Sequence, residues 1–493
     1  MRRGDGMEPY IIAIDQSTSA TKVLLVDRQG RIIRRASHAH RQYYPRPDWV
    51  EQDAMEIFDN TVRGIFDVVQ GMNPSDIAAV AITNQTGAFV LWDQATGEPV
   101  YPVVGWQCGR GQPVVDRMTP EELEIFRRSA GSSPSAFLPA AKLRWLFEHE
   151  PSIYTRAKRG EILFGSMDCW LIWKLTGGKV HGIDYGNACI TQLFNIFEQR
   201  WDADTLSLLE VPLTMLPQPI DSDGDFGVVS IKGLPQWPIS GVIGDSNGAL
   251  FGQCGFDEGS IKVTYGTGAS ILLNVGGQAV PARNGLLPVI AWRRGGVPTY
   301  VLEGTAVCAG ASVNWMVEDL KLLENAGETE ALARSVESTD GVYFVSAFTG
   351  LGTPYWDAGA RGCIVGLGRG TKKAHIVRAA LEGIAYQVTD MLYAGVGASV
   401  AGRTMVVDGG ASKNDFLMQF QADIAGVTVV RSGVEESSAM GAAYIAGIRQ
   451  GIWPDTDAVR SLERSRCVYH PAMAREEAER LWTGWQTAVR KAF

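Results

Sequence analysis

"IIAIDQSTSATKVLLVD", residues 11–27, is an apolar run that stops at Asp15, passes through Ser17, Thr18, Ser19 and Thr21, and returns to an apolar run. The two runs predict paired strands, and the hydroxyl-rich tip between them predicts a tight turn. With "DRQG" (27–30) as a second turn, residues 10–36 read as a β-hairpin. A carboxylate at the end of a buried strand is delivered rigidly to a sheet edge. Asp, Ser and Thr are also ordinary turn residues, so one occurrence does not separate a site from a simple turn.

Recurrence separates them. "GSIKVTYGTGASILLNVGG" (259–277) is again strand, Ser/Thr/Gly turn, strand. "ISGVIGDSNGALFGQCG" (239–255) reads as strand, polar break, helix, and "RTMVVDGGASKNDFLMQFQADIAG" (403–426) as strand, polar turn, helix. "VAITNQTGAFVLWDQATGEPV" (80–100) has the same style, a strand, a polar turn at 84–87 and a strand. Helical spacing fills 120–180 in "EELEIFRRSA", "AAKLRWLFEHE" and "DCWLIWKLTGG", the last ending at a Gly pair suited to a helix C-terminus. The chain therefore reads as an α/β protein repeating its architecture, not its letters, with two domains at 9–250 and 251–490 facing a shared cleft.

Composition narrows the function. Of 493 residues 45% are hydrophobic and 20% charged, as in ordinary globular chains, with a formal charge of −9. A net acidic chain argues against broad nucleic-acid or anionic-membrane binding. The basic run "RRASHAHRQYYPRP" (34–47) reads as the solvated face of a hairpin. No apolar run approaches the roughly 18 residues of a spanning helix. "MRRGDGMEPY" lacks the apolar core of a signal peptide, and either Met1 or Met7 could be the start. Seven scattered cysteines form no C-x-x-C, and six histidines form no H-E-x-x-H. Free thiols and a cytoplasmic location are the expectation.

Three turns, 15–22, 264–270 and 408–414, have the makings of anion cradles: glycine for close approach, consecutive N–H groups, and hydroxyl donors. Phosphate is the natural ligand, and Asp15 and Asp245 suit Mg²⁺ or proton work. Neither G-x-x-x-x-G-K-[ST] nor G-x-G-x-x-G is present. A rival reading is that "GDSNG" (244–248) fits G-x-S-x-G. Ser246 would then be a hydrolase nucleophile, with His375 or His470 completing a triad. It leaves the hairpin turns unexplained.

Beyond these readings the residues resemble the FGGY carbohydrate kinases, glycerol kinase-like branch. "AIDQSTSATKVLLVD", "DWVEQDAMEI", "ITNQTGAFVLWD", "GWQCGR", "FLPAAKLRWLFEH", "GDSNGALFGQ", "TYGTGASILLNVG", "GLGTPYWDAGARG", "GCIVGLGRGTKKAHIVRAALE" and "VDGGASKNDFLMQFQADI" carry the resemblance, over about residues 9–450. It implies the two-domain actin/hexokinase-like (ribonuclease H-like) ATPase fold, ATP with Mg²⁺, and transfer of the γ-phosphoryl to a terminal hydroxyl. A homo-oligomer, a dimer first, is expected.

The resemblance also implies roles. Asp245 matches the general base and Asp15 the carboxylate near the metal. Thr18, Ser19 and Thr267 match phosphate-turn residues. Lys22 stands where Arg is usual, keeping a charge but losing the bidentate fork. Gly310 and Asn314 match nucleotide contacts, Asn314 where Gln is usual, and Gly410 and Asn414 match the adenosine side. Around the acceptor, Gln85, Trp106 and Ser246 line the pocket. Thr86 and Gly87 replace the Arg–Glu pair that grips glycerol, and Phe137 replaces its Tyr. The expected acceptor is therefore a longer polyol or a pentulose, filling space that Gly87 leaves open. Glycerol itself is the alternative, and a non-catalytic sugar- or ATP-binding regulator is a reading of another class.

Overall fold

The computed structural model describes residues 9–462 and 465–493. The choice between Met1 and Met7 lies outside the described residues. Tyr10–Gln16 and Ala20–Val26 pair antiparallel, with Asp15 opposite Lys22 and Gln16 opposite Thr21. Ser17 closes the turn, its N–H (3.0 Å) and Oγ (2.9 Å) both donating to the Ala20 carbonyl. At the other end the Asp27 carboxylate accepts from the N–H groups of Gln29 and Arg31, and the chain turns into Ile32–Ala39.

These strands lie in a five-stranded sheet ordered Ile239–Gly244, Ile77–Asn84, Tyr10–Gln16, Ala20–Val26, Ile32–Ala39. The first three are parallel and the rest antiparallel. Ile11–Ile14 is buried throughout, which explains its continuous rather than alternating apolar run. The edge strand carries the basic run. Arg34 donates to the carbonyls of Val68 and Gln70, and His38 meets Asp67 at 2.7 Å.

The second, seven-stranded sheet repeats this plan. Ile261–Tyr265 pairs antiparallel with Ala269–Gly276 across the "GTG" turn and parallel with Thr404–Asp408, which is parallel to Thr428–Ser432. Val297–Ala306, Leu287–Arg294 and Arg466–Tyr469 complete it. The internal repeat is thus one of strand order and direction.

Two expectations change. The strand after the 84–87 turn does not pair with the strand before it. Gln85 N–H stays with the first sheet, donating to the Gln16 carbonyl at 2.8 Å. Gly87, at φ +77°, then turns the chain away, and Phe89–Asp93 joins a separate five-stranded sheet. Gly87 also leaves little room: a Cβ there would lie 3.3 Å from Trp106 Cβ and close to Leu138 and Ile190. A side chain at this position would therefore start out packed against Trp106.

The predicted helices are present at Pro120–Ser129, Pro139–His149 and Met167–Leu175. Thr119 and Glu122 form a capping box on the first. Late in the chain, Ser437–Arg449 returns to the first sheet, and its Ala439, Ala442, Ala443 and Ile445 join that sheet's core. It lies against the helix Asp245–Gly252 at backbone contact: a Cβ on Gly441 would sit 1.9 Å from the Gly248 carbonyl oxygen, and one on Gly252 2.2 Å from that of Ser437. Only glycine permits such an approach. All seven cysteines are free.

Candidate functional site

The parallel pairing of Ile261–Tyr265 with Thr404–Asp408 sets Thr264 beside Asp408, so the 264–270 and 408–414 turns emerge from one edge of the second sheet. Asp408 ties this edge to the first sheet's helices. Its Oδ1 accepts from Thr264 Oγ1 (2.6 Å), and its Oδ2 accepts from Gln253 Nε2 (2.5 Å) and Ser437 Oγ (2.9 Å). Gly310 opens the helix Gly310–Glu318 and donates its N–H to the Gly266 carbonyl at 3.0 Å. Thr267 accepts at its carbonyl from Ala309 and Ala311. Among the described residues the N–H groups of Thr18, Ser19, Thr267 and Gly268 donate no hydrogen bond. Unspent amide donors at two turns suit a polyanion.

Asp15 stands at the end of its strand, 7% exposed. Burial pushes its pKa up to about 7; Lys22 pulls it down, while Asp245 and Glu436 push it up. Lys22 Nζ lies 2.7 Å from Glu436 Oε2, at the residue preceding the Ser437 helix. Asp245 begins the helix Asp245–Gly252, and its Oδ1 accepts from Ser246 N–H at 2.7 Å. Burial raises its pKa above the usual carboxylate range, while that N–H and the Lys262 charge pull it down. No group of three or more His, Cys, Asp or Glu positioned to hold a metal occurs among the described residues. Asp15 offers one carboxylate, and Mg²⁺ characteristically takes one or two carboxylates with the rest of its oxygens from water or a bound substrate, so the residue present fits that ion.

Of the residues expected around the acceptor, Gln85 is buried and donates to Gln52 Oε1 (2.8 Å), and Gln52 Nε2 donates to the Thr18 carbonyl (2.5 Å). His40 Nε2 donates to the same carbonyl at 3.0 Å; burial lowers its pKa. Exposed Trp106 donates its Nε1–H to Thr18 Oγ1 at 3.0 Å. The Trp106 segment and the Thr18 turn therefore touch directly. Lys142, fully buried, holds the Trp106 segment through the carbonyls of Gly105 (2.7 Å) and Trp106 (3.0 Å), and burial drives its pKa down to about 7. The Thr86 methyl packs on Gly244, beside Asp245, and Phe137 is exposed.

Some expected contacts are otherwise engaged. Asn414 caps the helix Asp415–Ala425, its Oδ1 accepting from Leu417 N–H (2.9 Å) and its Nδ2 donating to Thr329 Oγ1 (3.1 Å). Around Gly410 a Cβ would meet nothing within 4 Å, and Asn314 is exposed. The hydrolase triad is not assembled. His375 accepts from Lys372 N–H at the start of Lys373–Val396 and faces Asp340, while His470 lies by Thr428. Ser246 sits inside a regular helical turn, without the strained backbone of a nucleophile elbow. Sequence reading missed Gln52, His40, Lys142, Glu436 and Asp408. The last lay in plain view in "VVDGG", at a strand end like Asp15.

Residues 10–252 match the N-terminal domain, and residues 261–449 the C-terminal domain, of the FGGY family of carbohydrate kinases. The chain belongs to that family. Similar proteins include a glycerol kinase of Alkaliphilus oremlandii, 44% identical over 99% of this chain and 98% of that one, and glycerol kinase 2 of Thermotoga maritima, 43% identical over 98% and 99%. Among solved structures, Plasmodium falciparum glycerol kinase with ADP superposes with a TM-score of 0.93 at 32% identity, covering 100% of this chain and 99% of that one. A xylulose kinase of Lactobacillus acidophilus, at TM-score 0.87 and 22% identity over 98% of both chains, shares the fold. This FGGY kinase thus has the two-domain actin/hexokinase-like fold, and its activity is ATP-dependent phosphoryl transfer to an alcohol group of a small sugar or polyol. No helix among the described residues is long and apolar enough to cross a membrane.

Proposed function

We propose that this FGGY kinase phosphorylates a terminal hydroxyl of a small polyol, glycerol first, with Asp245 as general base. The observation that carries the base is its placement: a half-buried carboxylate at a helix start, electrostatically coupled to Asp15 and close to Thr86 of the acceptor side. Phosphoryl transfer passes through a loose transition state, so the protein's work is positioning and charge stabilisation. Thr18, Ser19, Thr267 and Gly268 offer free N–H donors to the phosphates, and Lys22 exchanges Glu436 for phosphate oxygen. Gly310, Asn314, Gly410 and Asn414 flank the nucleoside side. Asp15 would hold Mg²⁺, whose charge offsets that of the phosphates when bound. Asp245 accepts the proton of the attacking hydroxyl and aligns it. Gln85, Gln52 and Trp106 hold the acceptor wall against the Thr18 turn. The units 9–250 and 251–490 act as the two domains lining the cleft, with the Ser437–Arg449 helix of the second packed into the core of the first, in a cytoplasmic homo-oligomer.

Glycerol precedes the pentulose or longer sugar alcohol expected from sequence because full-length relatives named glycerol kinases are 42–44% identical. The second reading keeps a longer acceptor. It rests on Thr86, Gly87 and Phe137, which lack the charged and phenolic groups that would hold glycerol. A hydrogen bond to a charged group contributes roughly 1.5–3 kcal/mol, and water recovers part of that. Glycerol is therefore expected to rank first but with KM near the upper end of the usual range, about 1 mM. The test compares kcat/KM for glycerol, erythritol, the pentitols, xylulose and ribulose under one set of conditions. A longer acceptor about tenfold or more ahead of glycerol would replace the first reading by the second.

A further inference from the structure

Lys262 is 2% exposed, yet among the described residues its side chain makes no hydrogen bond and no ion pair within 4 Å. Its place is fixed by strand register. Lys262 stands opposite Leu272, and Leu272 opposite Glu303, so all three project from one face of the second sheet. Leu272 and Val301 on that face pack into the first sheet's core together with Leu250 and Phe251 of the Asp245 helix. Their neighbours Ile261, Val263, Ile271 and Leu302 point the other way, into the second core. Lys262 and Glu303 therefore face the helix that Asp245 begins.

A buried ammonium without a close partner is costly, and proteins keep one only where something else uses its charge. The acidic groups on this face are Asp245, Glu303, Asp15 beyond Asp245, and Asp408, which register places beside Thr264 but whose carboxylate is already held by Thr264, Gln253 and Ser437. Lys262 draws the Asp245 carboxyl toward its ionised form and acts on Glu303 in the same sense; burial and Asp245 push Glu303 up to about 7. The same strand runs on to Tyr265 and the turn that bears Thr267. One rigid element thus presents a positive charge to the base at one point and phosphate donors a turn later.

We propose that Lys262 is a positioning residue for phosphoryl transfer: from the second sheet it places a buried positive charge behind the helix start that carries Asp245, the group that receives the acceptor's proton. The inference rests on the kinase reading with Asp245 as base. Lys262 touches neither ATP nor acceptor. Its loss should lower kcat and leave both KM values nearly unchanged.

The test uses the full-length protein with ATP, Mg²⁺ and the best acceptor of the panel. Lys262→Met and Lys262→Gln are compared with Lys262→Arg, which keeps the charge. The expected result is a fall in kcat of about tenfold or more in both neutral variants, the scale of strongly coupled neighbours, with KM for ATP and acceptor held and most activity retained by Lys262→Arg. Unchanged kcat in the neutral variants overturns the proposal. So does a loss that Lys262→Arg shares, or a neutral variant that does not fold, because either assigns Lys262 to the scaffold. Wild-type protein without turnover on any acceptor would instead remove the kinase reading, and this inference with it.

Discussion

Asp245→Asn is expected to bind ATP as the wild type does and to lose about 10²-fold or more in kcat, the usual scale for a missing general base. The amide keeps the shape and can still accept from Ser246 N–H, so the helix start survives. What it cannot do is take a proton. Ser246→Ala should cost far less, since the described contacts of Ser246 pass through its backbone. Steady-state rates for the two variants, with nucleotide affinity measured in parallel, decide the matter. An active Asp245→Asn beside a dead Ser246→Ala would reverse the assignment and revive the hydrolase reading.

The second large effect is on stability. Gly441→Ala places a methyl group 1.9 Å from the Gly248 carbonyl oxygen, where neither partner is a flexible side chain end. The Ser437 helix must shift away from the Asp245 helix. Overpacking of this kind costs typically about 1–3 kcal/mol and occasionally more, and a backbone-to-backbone clash belongs at the top of that range. Gly370→Ala is the control, because a Cβ there meets nothing within 4 Å. Thermal unfolding should show a clear drop in midpoint for Gly441→Ala and little change for Gly370→Ala. Equal midpoints would mean that the two helices do not meet as described. The same variant should also lower activity, since the Ser437 helix carries the hydroxyl bonded to Asp408 and follows the Glu436 that pairs with Lys22.

Much of this was legible along the chain. Asp15, Thr267 and Asp245 stand out because a continuous apolar run ends abruptly in polar or small residues, and that local signal also fixes strand, turn and helix. Asp27 and Gly30 mark the second turn of the first hairpin by composition alone. What was hidden depends on partners distant in sequence. Nothing in "EESSAMGAAYIAG" says that this helix crosses back to the first sheet, or that Glu436 holds Lys22. Gly87 looked like open space in the string, but its left-handed backbone and the nearness of Trp106 appear only in the fold. Lys262 carries no signal in the string that separates it from a surface lysine of a strand. Only the packing of its face against the Asp245 helix makes its burial visible.

The central claim is that this protein moves a phosphoryl group from ATP to an alcohol. Phosphorus NMR of one reaction mixture tests it most directly: purified protein, ATP, Mg²⁺ and glycerol, with the longer polyols and ketoses in parallel tubes. The account predicts ADP and a new phosphomonoester resonance growing together in equal amounts, dependent on the acceptor. ADP with free inorganic phosphate only, or no consumption of ATP with any acceptor, would contradict it.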